Sequence, residues 1–152
     1  FSKLDKKFRY KIIGKGPLKK ELEALILSLG LQDRVEIFGN VTDKVKYDYL
    51  NSADIFMFPS ISKSEAYGLV QIEAMCFQIP IVNTFLNNGV NFLVPPNIAY
   101  TCEPKNTKSL VNGIIKISRD NKYYSSRLEK VEKILASLSL EEMIKMYEKI
   151  FI

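Results

Sequence analysis

Short apolar runs alternate with amphipathic stretches along the 152 residues of this chain. The alternation indicates βα units, because a parallel strand covered by helices is apolar throughout and each crossover needs a helix with one apolar face. The sequence therefore predicts an α/β fold, a Rossmann-like doubly wound parallel sheet of about five or six strands flanked by helices. In such sheets, ligands bind beyond the carboxyl ends of the strands.

Apolar runs, turn residues and caps assign the individual elements. The pattern predicts strands at 8–14, 34–39, 54–58, 79–83 and 99–103, and helices at 17–29, 44–53, 67–77, 107–118 and most of 121–151. The run at 54–58 is typical of a central strand buried on both faces. Ser139 and Glu142 form a capping-box pattern at the start of the final helix. Residues 1–152 are predicted to form one domain, in which 87–97 has the weakest pattern.

Apolar side chains on two predicted helices indicate which faces point inward. In the helix at 17–29 the apolar stripe lies at 18, 22, 25, 26 and 29, and it ends at Gly30. The shorter helix at 44–53 is expected to present Val45, Tyr49 and Leu50 to the core. Both stripes follow the spacing of an amphipathic helix.

The composition excludes several classes of chemistry. Histidine is absent, which removes Ser-His-Asp and Cys-His nucleophile pairs and histidine metal sites. No apolar run approaches the roughly 20 residues that a membrane span needs. Cys76 and Cys102 have no metal-ligand spacing, which favours a reduced, cytoplasmic setting.

Lysines are concentrated in the opening residues, at 3–11 and 15–20, and the net charge is +5. This pattern is typical of a solvated surface, and it also fits attraction to an anionic partner, either a phosphorylated ligand or the inner membrane face. Peripheral association with that membrane face is therefore left open. Nucleic acid is not expected as a partner, because the aromatic residues lie mostly inside apolar runs.

The first candidate motif is IIGKGP at 12–17, where a predicted strand runs through a glycine turn into a helix. Glycine allows the backbone to approach a phosphate, and a helix amino terminus offers N–H groups with partial positive charge. The motif lacks the third glycine of the dinucleotide fingerprint. Gly14 and Gly16 therefore fit a tight structural turn as well as a ligand-binding loop.

The second candidate motif is SEAYGLVQIEAM at 64–75, preceded by FPSISK. Here the predicted buried strand ends at Pro59, a polar loop follows, and the next helix begins near Gly68. The backbone amides at 67–70 are expected to form an anion site, with Ser60 and Ser64 as hydroxyl donors. A diphosphate would suit such a site.

Two carboxylates, Glu65 and Glu73, lie on either side of these amides. If both were helical, the rise would separate them by ~12 Å, comparable to the reach from a hexose across a diphosphate to a ribose. Carboxylates accept hydrogen bonds, which suits the recognition of sugar hydroxyls. Alternatively, Glu65 is a first-turn acid favoured by the helix dipole and Glu73 a surface residue. The spacing is compatible with both interpretations.

The string PSISKSEAYGLVQIEAM, together with IIGKGPLKKELEALILSLGLQDRVEIFGNV before it and PIVNT after it, resembles the C-terminal domain of family-4 retaining glycosyltransferases of the GT-B fold. The similarity runs from about Phe8 to the final helix, and PIVNTFLNNGV further resembles members that assemble bacterial surface polysaccharide or lipopolysaccharide. The resemblance implies an enzyme, a hexosyltransferase that uses a nucleoside-diphosphate sugar as donor, retains configuration and needs no metal or other cofactor.

The resemblance also implies residue roles. Glu65 would be the catalytic residue, contacting the donor hexose and stabilising positive charge at the anomeric carbon. Glu73 would bind the ribose. The backbone of Ala66, Tyr67, Gly68, Leu69 and Val70 would hold the diphosphate, beside the hydroxyl donor Ser60 expected from the motif itself. The loop of Gly39, Asn40 and Val41 would lie against the base, and Gly14 and Gly16 would line the cleft.

The chain departs from the family pattern in two ways. Gln78 stands where a glycine usually follows EAM, which alters a turn or brings a side chain to the ligand. The strand and helix that carry the diphosphate-clamping arginine and lysine are missing, as is the N-terminal domain that binds a glycan or lipid-linked acceptor. The chain is therefore expected to be a fragment that is inactive alone. The competing hypothesis is a non-catalytic GT-B-like module that completes a partner glycosyltransferase.

Overall fold

The computed structural model describes residues 1–62, 64–120, 122–123 and 125–151, without the side chains of 143, 146, 147, 150 and 151. Contacts divide the chain into two compact units, Phe1–Ser52 and Ala53–Ile152. Each unit contains parallel strands and helices in alternation, so the predicted α/β class is confirmed. The prediction of one domain stays a prediction.

The first unit is built on two parallel strands, β1 (Tyr10–Ile13) and β2 (Val35–Phe38), in a register that pairs Tyr10 with Val35. Helix α1 (Lys19–Ser28) connects them, and α2 (Asp43–Asn51) follows β2. The Thr42 hydroxyl caps α2 by accepting the Val45 N–H at 3.4 Å. All four elements lie where the sequence predicts them.

The predicted apolar stripe of α1 is not buried. Leu22, Leu25 and Leu29 are 37%, 52% and 49% exposed, and α1 has no buried residue. Burial in this unit is confined to Leu4, Leu31, Val35 and Leu50. A two-stranded sheet offers a helix too little surface to cover its whole apolar face. The prediction for α2 is right for Leu50 and wrong for Val45, which is exposed.

The second unit contains a three-stranded parallel sheet in the order β3 (Phe56–Phe58), β4 (Ile81–Thr84), β5 (Tyr100–Cys102). Helices α3 (Val70–Cys76) and α4 (Gly89–Leu93) flank β4 along the chain. After β5 come α5 (Thr107–Arg119), a 3-10 turn (Ser125–Arg127), α6 (Leu128–Ser137) and α7 (Leu140–Phe151). Within the predicted helical stretch 121–151, residues 121 and 124 lie outside the described residues.

The buried strand of this sheet is β4, where all four residues are buried. The sequence instead predicts 54–58 as the buried central strand, and this is wrong: β3 is an edge strand of its sheet and its three residues are half-buried. An edge strand has a paired neighbour on one side only, so its apolar composition does not guarantee burial.

The final helix is capped as predicted by Ser139, whose hydroxyl accepts the Glu142 N–H at 3.3 Å. The Glu142 carboxylate bonds Lys145 at 2.6 Å, and this bond holds the pKa of Glu142 below its usual value. Among the described residues, no helix is long and apolar enough to cross a membrane.

Gln78 ends α3 in a left-handed conformation with φ of 56°. The Gln78 N–H donates to the Met75 carbonyl at 2.9 Å, and the Ile79 N–H donates to the Ala74 carbonyl at 3.0 Å. These two bonds define a Schellman cap, in which the left-handed position is usually glycine. This turn precedes β4, at the opposite end of α3 from Glu65. Gln78 therefore occupies the usual glycine position of this cap, and the usual cap hydrogen bonds are retained. A contact of its side chain with the ligand stays a prediction.

Candidate functional site

The two predicted loops of the first unit are adjacent. The Gly14 N–H lies 3.3 Å from both the Phe38 and Gly39 carbonyl oxygens, which ties the Gly14–Gly16 turn to the start of the Gly39–Val41 loop. Both loops follow the carboxyl ends of parallel strands. Gly14 has φ of 143°, a conformation that favours glycine, whereas a Cβ on Gly16 would meet nothing within 4 Å. The turn requires Gly14 alone.

In the second unit the ends of β3 and β4 are joined by a side chain. The Thr84 hydroxyl, at the end of β4, donates to the Ser60 carbonyl just beyond β3. Ser62 and Ser64 share a hydrogen bond of 2.6 Å in the loop that follows. The loop containing Ser60 and Ser64 is thus held at the carboxyl edge of the sheet, as predicted.

Glu65 lies outside helix α3, in the loop that leads into the helix, and its carboxylate accepts a hydrogen bond from that loop. One carboxylate oxygen, Oε1, accepts the Gly68 N–H at 3.0 Å, and Gly68 has φ of 63°. The predicted helix at 67–77 is therefore wrong at its start, because left-handed Gly68 cannot belong to it and α3 begins at Val70. The ~12 Å helical estimate does not apply to Glu65.

The same hydrogen bond changes the predicted anion site. The Gly68 amide is occupied by the carboxylate of Glu65, so it is not an unpaired donor for a diphosphate. Ala66, Tyr67 and Leu69 are exposed around it, and Val70 is half-buried. The loop is nevertheless compact, because Gly68 is buried and a Cβ there would lie 2.9 Å from the Gln71 side chain.

Glu73 lies on the first turn of α3 and is half-buried. Its neighbours Gln71, Ala74 and Met75 are buried, so the helix presents Glu73 at the boundary between core and solvent. The position of Glu73 is therefore between the surface residue of the alternative interpretation and a fully buried one. A carboxylate at this depth is accessible to a ligand without the full cost of burial in an apolar core.

A buried polar network, which is not predicted from the sequence, fixes α3 on the sheet. Asn83 of β4 donates to the Gln71 side-chain oxygen at 2.9 Å and to the Val94 carbonyl at 3.2 Å. The Asn83 oxygen accepts the Thr101 hydroxyl at 2.8 Å. Gln71 and Asn83 are fully buried, and such bonded networks specify one arrangement of the elements that they join. The sequence signal for this network is one polar residue, Gln71 or Asn83, inside each of two apolar runs.

The two cysteines differ in their exposure, and neither forms part of a metal-binding group in the parts of the chain that the structure describes. Cys76 is an exposed free thiol, and Cys102 is buried in β5, where burial raises its pKa and a hydrogen bond with Ser109 acts in the opposite direction. In those parts no three residues of the types His, Cys, Asp and Glu are grouped to hold a metal ion.

A comparison with protein families identifies the chain. Residues 1–147 match the family described as Glycosyl transferases group 1. The matched residues include the whole of the first unit and most of the second. The chain belongs to this family. The sequence resemblance to glycosyltransferases of the GT-B fold is therefore confirmed, whereas the retaining mechanism and the assignment to the C-terminal domain stay predictions.

Individual members of the family show the same relationship. An uncharacterized glycosyltransferase of Haemophilus influenzae is 29% identical over 92% of the chain and 39% of its own length. The putative colanic acid biosynthesis glycosyltransferase WcaL of Escherichia coli is 34% identical over 65% of the chain and 25% of its own length. The chain thus spans about a quarter to two fifths of these relatives.

Among solved structures, Anabaena HepE in complex with UDP and glucose superposes with a TM-score of 0.78 over 90% of this chain and 38% of HepE, at 22% identity. At this level of identity the likeness establishes the fold. The Rossmann-like α/β architecture of GT-B glycosyltransferases is therefore shared by this chain.

Proposed function

We propose that the chain is the donor-binding part of a retaining glycosyltransferase that transfers a hexose from a nucleoside-diphosphate sugar. Membership of the group 1 family carries the proposal. It is supported by Glu65 and Glu73, two carboxylates at the carboxyl edge of a parallel sheet, where ligands of such folds bind. The HepE complex with UDP and glucose supports the proposed donor, and the colanic acid role in the name of WcaL supports the proposed product.

Glu65 is assigned to the donor hexose in this proposal. A carboxylate has about four lone-pair positions, so accepting the Gly68 N–H leaves acceptor capacity for sugar hydroxyls. The bond to Gly68 also restricts the carboxylate to one orientation, which lowers the entropic cost of binding. In transfer, the negative charge of Glu65 would stabilise the positive charge that develops at the anomeric carbon.

Glu73 is assigned to the ribose hydroxyls, and the backbone of Ala66–Val70 to the diphosphate, with the Gly68 amide reserved for Glu65. The loops Gly14–Gly16 and Gly39–Val41 of the first unit are assigned to the cleft and to the base. Binding is proposed to need no metal, because hydrogen bonds from the protein replace it.

The acceptor is proposed to be a glycan or a lipid-linked sugar in surface polysaccharide or lipopolysaccharide synthesis, as the name of WcaL suggests for that relative. The chain spans 39% or less of the relatives compared above, so transfer is proposed for the whole protein and donor binding for this part. The proposed location is the cytoplasm, with the acceptor reached at the inner membrane face.

A thermal-shift screen with UDP, GDP and ADP tests the proposal. A ligand at 100 times its dissociation constant stabilises the folded state by about 2.7 kcal/mol, which is a shift of several degrees. We expect one nucleotide to raise the melting temperature, with no change on adding EDTA, and Glu73→Ala to abolish the shift. Glu132→Ala removes an exposed acid from α6 and serves as the control. No shift with any of the three nucleotides would refute donor binding.

A further inference from the structure

The segment that joins β4 to α4 contacts the candidate site through Asn88 and Gly89. The Asn88 side-chain Nδ2 donates to the Glu65 carbonyl at 2.5 Å, while its Oδ1 accepts the Val90 N–H at 3.1 Å and caps α4. The two bonds fix the orientation of the Asn88 amide. If its oxygen and nitrogen were exchanged, the amide nitrogen would face the Val90 N–H, which is also a donor, and the oxygen would face the Glu65 carbonyl, which is also an acceptor. Asn88 therefore connects α4 to the backbone of the residue that carries the candidate carboxylate.

Gly89 brings the same two segments into close contact. A Cβ added to Gly89 would lie 2.2 Å from the Ala66 carbonyl oxygen and 2.7 Å from the Tyr67 ring. Contacts this short are excluded for real side chains, and a backbone atom cannot move aside as a flexible side chain can. Glycine is required here for the close approach of Ala66, which lies next to Glu65 in the chain.

Asn91 anchors this segment to the sheet. Its Oδ1 accepts the Leu86 N–H at 2.6 Å and the Asn87 N–H at 3.1 Å, and its Nδ2 donates to the Thr84 carbonyl at 3.0 Å. Asn91 is 9% exposed, so water competes little for these bonds. The segment is thus attached to the end of β4 before it reaches Glu65.

We propose that Asn88 is a positioning residue for the donor sugar: by holding the Glu65 carbonyl it keeps the Glu65 carboxylate over the Gly68 amide, in the orientation that meets the sugar. This inference rests on the proposed function, in which Glu65 binds the hexose. It adds a determinant of sugar binding that lies 23 residues from Glu65 in sequence. Asn88 acts through Glu65 and is not assigned a contact with the donor.

Asn88→Asp separates the two roles of this side chain. Aspartate still accepts the Val90 N–H as an N-cap, but it cannot donate to the Glu65 carbonyl. Asn87→Asp is the matched control, because it adds the same charge one residue earlier at a left-handed position that aspartate tolerates. A role limited to capping α4 predicts that Asn88→Asp behaves like the parent.

The first readout needs no ligand. Amide hydrogen exchange of the full chain should be about tenfold faster at Gly68 in Asn88→Asp, as expected when a bond of ordinary strength is lost. Exchange at Val90 should be unchanged, and Asn87→Asp should match the parent at both amides. Unchanged exchange at Gly68 in Asn88→Asp would overturn the inference.

The second readout is the ratio of the dissociation constants for UDP and UDP-glucose, measured by titration calorimetry. We expect the parent to prefer UDP-glucose and Asn88→Asp to lose about fivefold or more of this preference, roughly the worth of one hydrogen bond. Repulsion by the added charge would weaken UDP, which carries the greater negative charge, more than UDP-glucose, so it opposes the expected loss of preference, and Asn87→Asp measures its size. In a Glu65→Ala background, Asn88→Asp should change the ratio no further.

The outcomes separate the two proposals. If the parent binds none of UDP, GDP and ADP, the proposed function fails and the inference falls with it. If it binds GDP or ADP instead of UDP, the ratio is measured with that nucleotide and its glucose conjugate. If the parent binds both and the ratio is the same in Asn88→Asp, the inference alone is overturned, and donor binding stands. A merely structural loss would instead weaken both ligands equally and leave the ratio unchanged, which also counts against the inference.

Discussion

Gln78→Gly is expected to stabilise the protein, because the left-handed φ of 56° at Gln78 is unfavourable for any residue with a Cβ. The left-handed conformation costs an ordinary residue about 1–2 kcal/mol. Glycine gains about 0.4–1 kcal/mol of extra freedom in the unfolded chain, which opposes the effect. The difference spans about 0–1.6 kcal/mol, and its centre predicts a net stabilisation of about 0.8 kcal/mol.

The structure limits other contributions to this change. The Gln78 side chain is exposed, so little packing is lost, and both cap hydrogen bonds come from backbone groups that glycine retains. Helix α1 ends in the same way: Gly30 has φ of 63°, with bonds to the Leu27 and Ile26 carbonyls from Gly30 and Leu31. A Cβ on Gly30 would meet nothing within 4 Å. Gly30→Gln is therefore the reverse substitution without a steric clash.

Thermal unfolding followed by circular dichroism or calorimetry measures the effect. We expect Gln78→Gly to raise the melting temperature by about 2–3 °C and Gly30→Gln to lower it by a similar amount. Gln78→Ala separates the backbone from the side chain, because alanine keeps the Cβ and should leave the melting temperature near that of the parent. The reasoning is refuted if Gln78→Gly melts at or below the parent, or if Gln78→Ala stabilises equally.

Three further substitutions or reactions have defined outcomes. Gly16→Ala should leave the melting temperature unchanged, because the added Cβ has free space. It should weaken UDP binding measured by calorimetry, because that free space is the proposed cleft for the ligand. Equal affinity of variant and parent would show that Gly16 is not part of the site. Leu50→Ala should cost about 2–5 kcal/mol in urea unfolding, whereas Leu25→Ala, at a 52% exposed position, should cost under about 1 kcal/mol. Cys76 should react with a thiol reagent at pH 8 in the folded protein, whereas burial, which raises the pKa of Cys102, should delay its reaction until unfolding.

The sequence predicts the five strands and most of the helices because these elements are encoded locally, whereas α4 lies in the stretch 87–97, for which no element is predicted. The five described strands coincide with apolar runs, and the caps at Ser139 and Thr42 are formed by side chains within three residues of their targets. Parallel pairing follows from the helices that separate successive strands. All three strand pairs in the described residues are parallel.

Burial is predicted less well because it depends on which elements are neighbours. The apolar composition of β3 and α1 matches that of buried elements, yet β3 is half-buried at the edge of its sheet and α1 buries none of its leucines. Strand β4 contains the polar residues Asn83 and Thr84 and is therefore more polar in sequence, yet all four of its residues are buried. Hydrogen bonds between distant residues, such as Asn83 to Gln71, make that burial possible.

The candidate site shows the same division. The sequence identifies Glu65 and Glu73 and the loop between them, but not the bond from Gly68 that places Glu65 outside the helix. It also misses Asn88 and Gly89, because their role is a contact with residues more than 20 positions away. Such a contact cannot be predicted from the local sequence around either residue.

The most direct test of the central claim is whether Glu73 recognises a ribose hydroxyl. Calorimetric titration of the parent and of Glu73→Ala with UDP and with 2′-deoxy-UDP isolates that contact, because each comparison removes one partner of the same hydrogen bond. We predict that the parent binds UDP about tenfold or more tightly than 2′-deoxy-UDP, as expected for a hydrogen bond to a charged group, and that Glu73→Ala reduces this preference to near unity. An equal preference in parent and variant would contradict the account.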